Sequence, residues 1–98
     1  MEVVDSFRWQ ALEYLRIRAW DEEYVVHNDL SGDTHLLGLL AGRALDLLCR
    51  TRASLTVAEL VQRLAEEEQL IPDDELVHGV TSALEQFDRL GLAERMND

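Results

Sequence analysis

Three histidines, one cysteine and a run of three glutamates are the residues here whose types could do chemistry. His27 and His35 flank a turn-rich stretch, Asn28-Asp29-Leu30-Ser31-Gly32-Asp33. If that turn is centred on Ser31, the two imidazoles face each other as metal ligands would. A zinc site would need a further ligand, for which the loop offers only Asp29 or Asp33. Glu66-Glu67-Glu68 closes a helical pattern and reads as its solvated end. Cys49 stands alone inside another helical pattern, where a free thiol packs rather than reacts. His78, near a helix start beside Val77, reads as surface. No Gly-rich phosphate loop, nucleophile with a recognisable base, or cofactor fingerprint is present. The expectation is a chain with no catalytic residue, no required metal and no cofactor.

The elements that must position these residues begin with the hairpin. Tyr24 to His27 and Thr34 to Leu37 are apolar runs on either side of the turn, and pairing about Ser31 sets Val25 opposite Leu37 and Val26 opposite Leu36. Upstream, Leu15, Ile17 and Ala19 alternate with Arg16, Arg18 and Trp20, the pattern of a half-exposed strand. Asp21-Glu22-Glu23 is an acidic turn between them. The result is a three-stranded antiparallel meander over residues 14–20, 23–28 and 34–37. Residues 1–13 read as an N-terminal arm or strand, with Phe7 and Trp9 alternating with polar neighbours.

From Leu39 the spacing is helical. Leu40, Ala41, Ala44, Leu47 and Leu48 share one face, opposite Arg43, Asp46 and Arg50. Thr56-Val57-Ala58-Glu59 has the form of a capping box, opening a second helix that buries Val57, Leu60, Val61 and Leu64. Pro72 turns the chain, and Asp73 caps a third helix that reaches Leu90 before Gly91. Its core stripe is Leu76, Val80, Ala83, Phe87 and Leu90. Val77 and Leu84 lie to one side, with Thr81 and Asp88 at the polar margin, so this helix either packs on a further helix or lines a groove. Leu92 to Arg95 is a short tail or strand.

Charge narrows the partners. Twenty acidic residues against nine basic ones, all Arg, give a net charge of −11. Nucleic acid is repelled by such a field. The third helix sharpens this: Asp73, Asp74, Glu75, Glu85 and Asp88 outnumber its single Arg89. A neutral or basic peptide or protein segment is attracted instead. No apolar run is long enough to span a membrane, and the start MEVVDSFRW lacks the basic and apolar blocks of a secretion signal. A cytoplasmic, reduced protein is expected.

The chain resembles the PqqD-like proteins, small domains that recognise leader peptides in pathways of ribosomally made, post-translationally modified peptides. It is most similar to the branch of PqqD-family peptide chaperones of the HPr-rel-A system. The matching residues are Trp9, the strand ending in Trp20, the hairpin Tyr24-Val25-Val26 through Ser31-Gly32-Asp33-Thr34-His35-Leu36-Leu37, the segment Leu55-Thr56-Val57-Ala58-Glu59-Leu60, and Leu84-Glu85-Gln86-Phe87-Asp88-Arg89-Leu90-Gly91-Leu92. Gly38 departs from the Asn or Asp that often precedes the first helix in such proteins.

That resemblance implies an α+β, winged-helix-like fold over residues 14–98, a three-stranded antiparallel sheet followed by three helices. It implies a non-catalytic peptide-binding adaptor, in which a leader or precursor peptide adds as a strand beside Thr34, His35, Leu36 and Leu37. The guest's side chains would enter a cleft walled by Leu36 and by Val77, Val80, Thr81, Leu84 and Asp88. The partner would be that peptide, or a maturation enzyme or HPr-kinase-like protein to which it is presented. A winged-helix transcriptional regulator and a structural subunit of a larger enzyme are the other readings. An open strand edge and the aromatic arm also suggest a homodimer.

Overall fold

The computed structural model describes residues 7–96; the first six residues of the expected arm lie outside the described residues, as do 97 and 98. Strand β1, Arg8–Ala11, pairs antiparallel with β5, Ala93–Met96, from the other end of the chain. Trp9 belongs to the core at 4% exposure, and its backbone exchanges two hydrogen bonds with Leu55, of 2.7 and 2.9 Å. The described part of the expected arm is thus built into the fold. Strands β2 (Leu15–Trp20), β3 (Glu23–Asn28) and β4 (Thr34–Leu37) form a separate antiparallel sheet in the order β2-β3-β4. Helices α1 (Leu39–Thr51), α2 (Val57–Glu68) and α3 (Asp74–Leu90) follow. The architecture is α+β, a three-stranded antiparallel sheet and three helices, with the β1–β5 pair added to the expected set. No described helix is long and apolar enough to cross a membrane.

The β3–β4 register differs by one residue from that expected. Tyr24 pairs with Leu37, Val25 with Leu36, Val26 with His35 and His27 with Thr34. The reason lies in the loop. The Asn28 N–H donates to the Asp33 carbonyl at 2.9 Å, leaving an even-numbered loop of residues 29–32, centred between Leu30 and Ser31 instead of on Ser31. Asn28 holds it: its side-chain oxygen accepts from the Leu30 and Ser31 amides, and Gly32 takes a φ of +83°, where a β-carbon would be strained. A one-residue shift reassigns every cross-strand neighbour. The inner face carries Leu15, Ile17, Tyr24, Val26, His35 and Leu37; the outer face carries Arg16, Arg18, Trp20, Val25, His27, Thr34 and Leu36.

The inner face sits on α1 through one contact of unusual closeness. A β-carbon built on Gly42 would lie 2.1 Å from Tyr24 Cδ1 and 2.7 Å from Tyr24 Cβ, so the ring rests directly on the helix backbone. Alanine is the better helix former by about 1 kcal/mol, but here it overpacks. Gly42→Ala is expected to lower stability by about 1–3 kcal/mol, and adding Tyr24→Ala should remove most of that difference. Denaturant unfolding of the two single variants and the double variant measures this coupling.

The helix ends follow local chemistry. Gly38 supplies no side-chain cap to α1, whereas Thr56 and Glu59 form both halves of the capping box of α2, at 3.1 and 2.9 Å. The bond from the Thr56 amide holds the Glu59 carboxyl below its usual range. Thr56→Ala is expected to lower stability by about 1 kcal/mol, read as a fall in the denaturation midpoint. Asp73 caps α3, and Gly91 ends it with a φ of +75°. Glu67 and Glu68 are not simply solvated: Glu67 bonds Arg50 at 2.9 Å and Glu68 pairs with Arg43, joining α2 to α1.

Candidate functional site

In an antiparallel pair, residues alternate between pointing their backbone groups at the partner strand and away from it. Asn28 bonds to Asp33, so the pairs Val26–His35 and Tyr24–Leu37 also exchange ladder bonds, while Thr34 and Leu36 point their N–H and C=O groups outward. β4 is an end strand of its sheet, and these groups meet no further strand among the described residues. Leu36 is 63% exposed on the outer face, Leu37 is buried on the inner face, and His35 is half-buried beside it. The edge is therefore open for two residues' worth of ladder, with an apolar side chain on each face.

The residues expected to wall a cleft beside this edge lie in different environments. Leu36 lies on the outer face of the sheet, opposite the face that packs on α1. On α3, a β-carbon at Gly79 would lie 2.8 Å from Leu40 Cδ2, so the Gly79 margin is the one facing the first turn of α1, directly after β4. At about 100° per residue, Val80 lies about 100° around the helix from Gly79, and Val77, Thr81, Leu84 and Asp88 lie about 140–180° away. That expected stripe lies well around the helix from the side that approaches α1. Val80 and Leu84 are fully buried, Thr81 is half-buried and bonds its own helix at the Val77 carbonyl, and Val77 and Asp88 are exposed. The extra apolar width of α3 is explained by its neighbours, for it packs on α1, α2 and β5. The Gly79 margin of α3, turned toward the first turn of α1, also carries Ser82 and Gln86, and Leu39 in that turn is 42% exposed. Gly79, Ser82 and Gln86 are not among the residues expected at the site. A lone glycine inside a helical pattern marks close backbone approach, and Gly79 was that signal.

The residues considered for chemistry are dispersed. His27 lies on the outer face, its Nδ1 2.8 Å from Thr34 Oγ1 and its Nε2 3.5 Å from Asp29, while His35 lies on the inner face. The register shift separates the expected His27–His35 pair. No group of three or more His, Cys, Asp or Glu side chains is placed to hold a metal among the described residues. The Cys49 thiol is pushed up to about 11, first by burial and then by the nearby Asp46 charge. Its thiolate is scarce near neutral pH, which makes it a poor nucleophile.

No protein-family model matches the chain, and no curated protein matches it. Among solved structures, TbiB1 in complex with the TbiA(beta) leader peptide is similar, with a TM-score of 0.66 and 17% sequence identity. The match covers 91% of this chain and 99% of that one, so the two share a fold over nearly their whole lengths.

Proposed function

We propose that this chain is a non-catalytic adaptor that captures an extended peptide segment along the open edge of β4 and presents it to a partner protein. The observation that carries the reading is the pair of outward N–H and C=O sets at Thr34 and Leu36, followed closely by the partly exposed Leu39 and Leu40. Unpaired edge groups are a template for strand addition, and alternate guest side chains then supply specificity. The fold shared with TbiB1, solved with a leader peptide bound, supports the same use. In this reading His35, Leu37, Leu40 and the Gly79–Gln86 margin meet one set of guest side chains, and Thr34 and Leu36 meet the other. A leader or precursor peptide is the partner proposed, with a maturation enzyme or an HPr-kinase-like protein as the recipient. The net charge of −11 favours a neutral or basic guest.

The test is selection of binders from a displayed peptide library, followed by amide chemical-shift mapping of a selected peptide. Shifts are expected at residues 34–40, Gly79 and Gln86. Shifts confined to Val77, Thr81 and Asp88, on the far side of α3, would contradict the reading.

A further inference from the structure

Beyond Thr34 and Leu36 at its β4 margin, the outer face of the sheet takes no part in peptide capture, and it differs from the rest of the surface. Trp20 is 60% exposed and Leu36 63% exposed on it, and a shallow basin of about 590 Å³ lies between them on the β2–β3 side, walled by Arg16, Arg18, Trp20, Val25 and His27. Arg16 is paired with Asp29 at 2.9 Å, while Arg18 has no ion-pair partner among the described residues. The charges on this face, Arg16 and Arg18 against Glu23 and the loop residue Asp29, cancel, so the chain's net −11 lies off it, with Asp21 and Glu22 at the adjoining hairpin tip.

We infer that this face is a weak homodimer interface, occupied by a second copy of the chain. Two features favour a copy over another occupant. The rest of the chain carries 18 acidic residues against seven Arg, whereas this face carries two of each sign and is close to neutral. It is also self-complementary in shape. The basin lies on the β2 side of β3 and Leu36 on the β4 side, at the level of Val25 and Arg18. A two-fold axis running along β3, between two stacked faces, seats each Leu36 in the other copy's basin, an isologous contact that closes on itself. Tryptophan and arginine are the residue types that dominate interface energetics. The backbone edge of β4 stays open in this arrangement. Three short strands offer less area than the about 800 Å² per partner of a standard interface, so a weak dimer that forms only at high concentration is expected.

Sedimentation equilibrium of the full chain from low micromolar to millimolar concentration tests this. The mass is expected to rise from one copy toward two, and added salt should tighten the dimer by screening the acidic surfaces that surround the face. Leu36→Arg sets a cation against Arg16 and Arg18 of the other copy, and Trp20→Ala removes a basin wall. Both side chains are mostly exposed, so both variants should fold, which thermal melts check, and each should weaken the dimer about tenfold or more. A wild type that stays monomeric to millimolar concentration overturns the inference and leaves the face to a different partner. Variants that dimerise as the wild type does also overturn it, because the contact then uses another surface, such as a strand edge.

Discussion

Leu84→Asp is expected to leave the chain unfolded at room temperature. Leu84 has no exposed surface, and the core around it is apolar: Val80, Ala83 and Phe87 on the same helix are buried with it, and Asn28 is the one buried polar residue among those described. A carboxylate placed there meets neither solvent nor an established cation. Burying such a group costs several kcal/mol or drives it to take up a proton. A domain of this size has a total stability of roughly 5–15 kcal/mol, so the substitution removes most of it. Leu84→Ala, which leaves only a cavity, is expected to cost about 2–5 kcal/mol and to stay folded. Circular dichroism during urea titration distinguishes them: no native baseline for the aspartate variant, and a lowered but cooperative midpoint for the alanine. A cooperative transition near the wild-type midpoint for Leu84→Asp would show that this position lines solvent.

The second large effect is on binding, and it uses proline as a probe of which way a backbone amide points. Proline removes the N–H and places ring carbons where a neighbouring strand would approach; within a sheet it is tolerated only where that amide faces away from the ladder. Leu36→Pro and Thr34→Pro change outward amides and are expected to leave the β3–β4 pairing in place. Each loses one guest hydrogen bond, worth about 0.5–1.5 kcal/mol net, in addition to the steric obstruction. About tenfold weaker peptide binding is expected for each, and about a hundredfold for both together, at roughly 1.4 kcal/mol per decade. His35→Pro has the opposite signature. Its amide serves the ladder with Val26, so the four-residue strand should detach and stability should fall by more than in either edge variant. Titration calorimetry with a selected peptide, beside thermal melts of all three, reads both effects.

Much of this fold was legible because local chemistry and tertiary packing agree. The alternation of Leu15, Ile17 and Ala19 with Arg16, Arg18 and Trp20, the Thr56–Glu59 capping box and the Asp73 and Gly91 ends of α3 all stand where the side chains dictate. The hairpin was legible as a hairpin but not in register, since that depended on Asn28 turning its side chain onto the Leu30 and Ser31 amides. The same shift undid the His27–His35 pair and turned Leu36 outward. The pairing of β1 with β5 joins the two ends of the chain, and nothing local announces so distant a partner. On α3, a wide apolar stripe is compatible with either a groove or three packing neighbours. Only the contact of Gly79 with Leu40 shows which side of the helix looks toward the first turn of α1.

The central claim is that the open edge of β4 receives a strand, and hydrogen exchange at single amides tests it most directly. In the free protein the Thr34 and Leu36 amides should exchange fast while His35 and Leu37, bonded to β3, are protected. At saturation with a selected peptide, Thr34 and Leu36 are predicted to become protected as well, restoring unbroken protection along β4. If those two amides continue to exchange at their free rates when the peptide is bound, or if new protection appears instead at Ile17 and Ala19 on the β2 edge, the claim is contradicted.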